Sequence, residues 1–88
     1  MIGKRVVYHG RVQGVGFRYT ARSVAGSFRV AGWVRNRPDG DVELVAEGEP
    51  DQVEAFLGAL AARMARNIER VTVQDEPPGG LVGFDIRY

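Results

Sequence analysis

The sequence predicts an α+β domain in which two helices pack on one face of a mainly antiparallel β-sheet. Strand-like segments alternate with two amphipathic helical patterns in the order β-α-β-β-α-β, followed by a short C-terminal strand. A sheet with both helices on the same face buries the apolar stripe of each helix. This arrangement is the ferredoxin-like split β-α-β sandwich. The 88 residues, of which 44% are hydrophobic, suffice for a single domain over residues 1–88.

A glycine turn joins the first strand to the first helix. The segment from Arg5 to Val12 is rich in valine and tyrosine and is predicted to be the strand. The turn at residues 13–16 contains two glycines. After it, apolar residues recur on one helical face: Phe17, Ala21, Val24, Ala25 and Phe28. Gly26 inside this pattern lowers helix propensity by about 1 kcal/mol relative to alanine, and we expect the helix to end near Ser27 or Phe28.

The next two strands are predicted to form a hairpin. Residues 30–36 and 42–47 have strand character. In the second segment, one set of alternate residues is entirely apolar (Val42, Leu44 and Ala46), and the other set is Glu43, Val45 and Glu47. Between them, Pro38 presets φ and Gly40 accepts a positive φ, as a tight turn requires.

The second helix has the clearest periodicity in the chain. Pro50 suits the first helical position, and residues 48–51 are predicted to open the helix. Its apolar stripe comprises Val53, Phe56, Leu57, Leu60, Ala61 and Met64. Residues 68–73 are predicted to form the fourth strand and residues 84–88 the last one.

Composition excludes several classes of site. With no cysteine and one histidine, the chain has no disulfide, no thiolate nucleophile and no multi-histidine or cysteine-ligated metal centre. The formal net charge of +1 argues against binding nucleic acid by bulk charge. No run approaches the roughly 20 apolar residues of a membrane span, and no signal-peptide core follows the first residues. We therefore expect a soluble cytoplasmic protein.

The segment from Gly10 to Arg18 is a candidate anion site. Backbone N–H groups of a glycine turn can converge on an anion, next to the positive end of the following helix. Arg18 in the first helical turn can donate to two anionic oxygens at once. The alternative is a glycine turn that only makes the corner between strand and helix, and loop chemistry by itself favours this alternative.

Asn36 is a second candidate, at the end of the second strand. Its amide offers both a donor and an acceptor to a bound water. The alternative, favoured by residue type alone, is that the side chain caps the hairpin turn.

Three stretches of sequence resemble the acylphosphatase family. They are Gly-Arg-Val-Gln-Gly-Val-Gly-Phe-Arg at 10–18, Gly-Trp-Val-Arg-Asn at 32–36 and Asp-Gly-Asp-Val-Glu at 39–43. The similarity continues through Glu47-Gly48 and the second helix to the closing Phe-Asp-Ile-Arg-Tyr at 84–88. It thus extends over essentially the whole chain, and the first stretch is long and specific.

The resemblance implies hydrolysis of acyl phosphates to a carboxylate and inorganic phosphate. It implies that Arg18 clamps the phosphate and that Asn36 positions the attacking water. It also implies a backbone cradle for the phosphate made by Val12, Gln13, Gly14, Val15, Gly16, Phe17 and Arg18. No metal or organic cofactor is implied, and the expected partners are a small acyl phosphate and inorganic phosphate, which is both product and inhibitor. We expect a monomer that binds neither nucleic acid nor membrane.

Two features depart from the common family pattern. The segment from Gly26 to Ala31 replaces a Leu-Gly-Leu turn that is one residue shorter, so the first helix is expected to end differently. Arg37 follows Asn36 where other members have a smaller or neutral residue; it is either an exposed turn arginine or a residue that tunes the charge preference for substrate.

Other functions remain as alternatives. One is a non-catalytic module of the same fold that holds phosphate or carbamoyl phosphate for a larger assembly; the free-standing length speaks against it. Another is an RNA-binding β-α-β-β-α-β module, but the aromatic central strands that stack bases are missing. His9 in the first strand is expected to be a residue of the sheet margin rather than an acid or base.

Overall fold

The computed structural model describes every residue from Met1 to Tyr88 and contains a five-stranded sheet with two helices. The elements are β1 (Ile2–Gly10), α1 (Phe17–Ala25), β2 (Val30–Asn36), β3 (Val42–Gly48), α2 (Pro50–Arg63), β4 (Ile68–Asp75) and β5 (Phe84–Arg87). The strand order is β4-β1-β3-β2-β5, and only the β2–β5 pair is parallel. The predicted element order and the α+β class are confirmed.

The core lies between the sheet and the two helices. Alternate strand residues point to this side, because successive side chains of a strand face opposite ways. The buried members from the strands are Val6, Tyr8, Val34, Val42, Leu44 and Ala46, and those from the helices include Phe17, Ala21, Val24, Val53, Phe56 and Leu60. The ring of Phe56 lies 6.4 Å from that of Phe28 and 5.4 Å from that of Phe84. These contacts join α2, the turns after α1 and β5 into one hydrophobic cluster.

The predicted bounds of the first strand are wrong at both ends. β1 begins at Ile2, which pairs with Gly48, because β3 offers partners along its whole length. It ends at Gly10, where φ is 130° and the pairing with β4 shifts register. Val12 lies beyond the strand and turns its side chain fully into the core. Apolar character therefore marks burial at this position and not strand structure.

The first helix ends earlier than predicted, at Ala25. The N–H groups of Ser27 and Phe28 donate to the carbonyls of Val24 and Ala25, so the chain tightens into turns after the helix. Phe28 still packs on the core, which explains why it continued the apolar pattern. The other strands and the second helix differ from prediction by at most two residues at an end, and β2 agrees at both ends.

A connecting segment, residues 76–83, carries the chain from one edge of the sheet to the other. β4 and β5 occupy opposite edges, so this segment must cross the end of the sheet. The carboxylate of Glu47 in β3 accepts the N–H groups of Gly79 and, at 2.9 Å, of Leu81. Glu47 is buried and holds the crossing in place. Neither helix has the length and apolar composition of a membrane span.

Candidate active site

The sheet topology brings the end of β2 next to the loop after β1. Both strands pair antiparallel with β3, so they run in the same direction and terminate at the same end of the sheet. Tyr8 and Asn36 each pair with Val42, which places the three residues in one row across the sheet. Residues in such a row share a face, so Asn36 lies on the face covered by the helices, at its margin.

The segment from Gln13 to Tyr19 presents a run of free backbone donors. Gly14 and Gly16 have φ values of 76° and 77°, a left-handed conformation that glycine adopts without steric cost. None of the backbone N–H groups from Gln13 to Tyr19 donates a hydrogen bond within the protein; the first helical bond runs from Thr20 to Gly16. The first turn of α1 contains no acidic residue that would oppose an anion there.

These elements surround a cleft of about 110 Å³, which we call the phosphate cleft after the ligand that the resemblance implies for this loop. Its lining consists of Val12, Gly14, Gly16, Phe17, Arg18, Tyr19 and Asn36. The structure therefore brings together the two residues that sequence reasoning singled out, one from α1 and the other from β2. Of the remaining loop residues, Val15 is exposed at the tip, and neither it nor the side chain of Gln13 lines the cleft.

Gln13 has a structural role that sequence reasoning missed. Its side-chain amide donates to the carbonyl of Arg37 at 2.8 Å and to that of Asp41 at 2.9 Å. It thereby fastens the loop to the hairpin that carries Asn36. The only sequence signal was an amide in a glycine turn, and its acceptors lie more than 20 residues away.

Arg18 is held by an aromatic ring and not by a carboxylate. Its guanidinium carbon lies 4.7 Å from the centre of the Tyr88 ring. The hydroxyls of Tyr88 and Tyr19 are 3.3 Å apart, which ties the C-terminal residue to α1. A guanidinium stacked on a ring keeps its N–H groups free, so Arg18 can bind an anion in the cleft.

The hairpin turn does not use Asn36 as its cap. The side chain of Asp39 accepts the N–H of Asp41 at 3.0 Å and stabilises the turn. The alternative that Asn36 caps this turn is thus not what the structure shows, and its amide is available to the cleft.

His9 is engaged away from the phosphate cleft. Its Nδ1 lies 2.8 Å from a carboxylate oxygen of Asp41, and its Nε2 lies 2.9 Å from the hydroxyl of Thr72. Both ring nitrogens have partners, and the residue does not line the cleft. The expectation of a sheet-margin role agrees with this placement.

A second, larger cleft of about 690 Å³ lies beside the first. It is lined by Arg35, Asn36, Arg37, Pro38, Glu43 and Tyr88. Burial opposes ionisation of Glu43, but the hydrogen bonds from Arg35 and Arg5 outweigh it and lower the pKa of this carboxyl. Glu43 is therefore a paired carboxylate at neutral pH.

Fold and cleft together define a small α+β domain with a candidate anion site, and comparison with known proteins specifies its family. A family model described as Acylphosphatase matches residues 4–86. A protein named Acylphosphatase from Thermococcus kodakarensis is 49% identical over 88 residues, and the match covers 94% of this chain and 97% of that protein.

Solved structures agree with this match. The crystal structure of acylphosphatase from Bacillus subtilis superposes with a TM-score of 0.89 at 35% identity, over 100% of both chains. HypF from T. kodakarensis gives a TM-score of 0.86 at 30% identity, but this chain covers only 12% of it. The chain belongs to the acylphosphatase family. It is a hydrolase that acts on acyl phosphates, as the resemblance predicted.

Proposed function

We propose that the protein hydrolyses acyl phosphates by holding the phosphate in the 12–18 loop, with Arg18 as the clamp and Asn36 as the residue that orients water. The observation that carries this assignment is the lining of the phosphate cleft. Arg18 and Asn36, which are 18 positions apart in the sequence, both line it together with the glycines of the loop.

The proposed chemistry needs charge stabilisation more than a strong nucleophile. An acyl phosphate is a reactive mixed anhydride, and the carboxylate is a good leaving group. The loop N–H groups and the Arg18 guanidinium donate to the phosphate oxygens, where they stabilise developing charge. The Asn36 amide holds a water against the phosphorus; the new P–O bond forms as the bond to the acyl oxygen breaks, releasing carboxylate and inorganic phosphate.

The proton of the attacking water goes to a phosphate oxygen of the substrate in this proposal. The engagement of His9 by Asp41 and Thr72 supports it, since no imidazole faces the cleft. Replacing His9 and Asp39 separately by alanine is the test. Turnover that persists in both folded variants agrees with a substrate-supplied base, whereas collapse in either assigns the base to the protein.

The assignment is tested by hydrolysis of benzoyl phosphate in the presence of a metal chelator. We expect Arg18→Ala and Asn36→Ala each to lower kcat/KM by about 10²–10³, the usual effect of removing one preorganised donor. Arg29→Ala and Asn67→Ala are matched controls. Arg29 is exposed and immediately precedes β2, at the end away from Asn36, and the Asn67 side chain lines neither cleft.

The controls decide how the result is interpreted. Full activity in folded Arg18→Ala or Asn36→Ala would remove that residue from the proposed machinery. A folded wild-type protein that binds phosphate but does not hydrolyse acyl phosphates would favour the non-catalytic module. The similarity of this chain to one part of the larger protein HypF is the observation that supports this alternative.

The proposal also includes a single domain over residues 1–88, a cytoplasmic monomer, and competitive inhibition by inorganic phosphate. Product inhibition follows from the chemistry, because the loop donors that bind substrate phosphate also bind the released ion. Inhibition kinetics and light scattering of the purified protein test these points.

A further inference from the structure

The phosphate cleft and the larger cleft meet at one shared residue. Asn36 lines both. Tyr88, which lines the larger cleft, stacks on Arg18, which lines the smaller one. An acyl chain attached to a phosphate in the smaller cleft can therefore reach the larger one, which we call the acyl cleft.

Arg37 is the basic side chain of the acyl cleft with the most unused hydrogen-bonding capacity. Its Nη2 lies 3.2 Å from Asp39, and this is its one ion pair. Asp39 uses its other oxygen to fix the hairpin turn, so it stays in place when Arg37 moves. The Arg37 side chain is 37% exposed, and its remaining N–H groups have no partner within the protein.

The acidic residue of the acyl cleft does not cancel this charge. One oxygen of Glu43 accepts from Arg35 at 2.7 Å, and the other accepts from Arg5. Arg35, half exposed, lies on the same cleft wall and keeps one guanidinium nitrogen free of these bonds. The wall next to Asn36 is thus more basic than acidic.

We propose that this protein prefers acyl phosphates whose acyl chain ends in a carboxylate, and that Arg37 binds that carboxylate. The inference rests on the proposed function, since it assigns the acyl end of the same substrate. Arg37 donates to the carboxylate, and Arg35 adds a favourable field at the cleft wall. A terminal methyl group makes no ion pair there, and only one of the six lining residues is hydrophobic.

The test compares succinyl phosphate with butyryl phosphate, two acyl phosphates of equal chain length that differ in a terminal carboxylate. We expect wild type to have the higher kcat/KM for succinyl phosphate. Arg37→Gln should reduce the ratio of the two kcat/KM values by up to about fivefold, the upper end of the range for one exposed ion pair, mainly through KM. The glutamine keeps the backbone carbonyl that Gln13 uses.

A control variant, added salt and a charge reversal test whether the preference depends on the charge of Arg37. Arg29→Gln removes an exposed arginine at the other end of β2 and should leave the ratio unchanged. Added salt should lower the wild-type ratio and have little effect on the ratio in Arg37→Gln. Arg37→Glu should shift the ratio further toward butyryl phosphate than Arg37→Gln does.

Equal kcat/KM values for the two substrates in wild type, or a ratio that Arg37→Gln and Arg29→Gln change alike, would overturn the inference and leave the proposed function intact. Failure of wild type to hydrolyse butyryl, succinyl and benzoyl phosphate alike would overturn both.

Discussion

Glu43 is a buried carboxylate that is paired with two arginines. Arg5 and Arg35 donate to its two oxygens from either side, and Arg5 also pairs with Glu76 at 2.6 Å. The guanidinium groups of Arg5 and Arg35 lie 5.7 Å and 5.5 Å from the ring of Trp33, which they cover. The cost of burying this charge is offset only while both arginines are paired with it, so protonation of Glu43 changes the stability of the fold.

Stability should therefore fall in acid through Glu43. Its pKa in the folded protein lies below the ordinary value near 4.5, so its contribution is fully present above that value. The contribution is lost as pH falls through the lowered folded pKa. At neutral pH, Glu43→Gln should cost about 2 kcal/mol, because it leaves two guanidinium groups without their shared partner.

Urea unfolding as a function of pH checks this prediction. The difference between wild type and Glu43→Gln should shrink in acid, whereas the exposed helix residue Glu54 should show no such trend when changed to glutamine. A difference that stays constant with pH would mean that the lost stability comes from packing and not from charge.

At the scale of elements, Gly32 in β2 and Gly58 in α2 differ in whether the structure requires a glycine. A side chain at Gly32 in β2 would overlap the carbonyl of Val45 in the adjacent strand β3. Gly58 is exposed in α2, and an added Cβ would meet nothing within 4 Å. Glycine is required by close approach in the strand and is merely tolerated in the helix.

Alanine at these positions should therefore change stability in opposite directions. Gly58→Ala should stabilise the protein by about 1 kcal/mol, the helix-propensity difference. Gly32→Ala should destabilise it by at least about 2 kcal/mol, because β2 and β3 must separate or shift. Thermal and urea unfolding measure both changes, and a neutral Gly32→Ala would show that the two strands adjust freely.

The whole molecule depends on how the chain returns across the sheet. Glu47 anchors the connecting segment, residues 76–83, and without that crossing β5 could not reach its place beside β2. β5 in turn positions Tyr88 against Arg18. One buried carboxylate in β3 thus links the connecting segment to the position of Arg18 through the path of the chain.

Glu47→Ala should loosen this crossing before the rest of the fold. Two hydrogen bonds to a charged acceptor are lost, so we expect a destabilisation of about 2–3 kcal/mol. Amide hydrogen exchange should accelerate first at Gly79, Leu81 and along β5, with α2 little affected. Uniform acceleration over all elements would instead mean that Glu47 acts only on global stability.

Local chemistry in the sequence was enough for several elements. The turn with Pro38 and Gly40 between two strand-like segments indicated the hairpin, and both predicted bounds of β2 agree with the structure. The apolar stripe of α2 identified that helix, although Met64 proved to cap it. The resemblance carried by residues 10–18 and 32–36 pointed to Arg18 and Asn36 before any contact was known.

The sequence alone determined the element order, the fold class and the identity of the candidate residues, because these depend on periodicity, turn chemistry and a long local motif. Only the tertiary structure decided the ends of β1, the end of α1, the tie from Gln13 to the hairpin and the meeting of Arg18 with Asn36. These features depend on strand register and on contacts between residues distant in the chain. Both are set by which backbone groups pair across the sheet, and no local pattern records that choice.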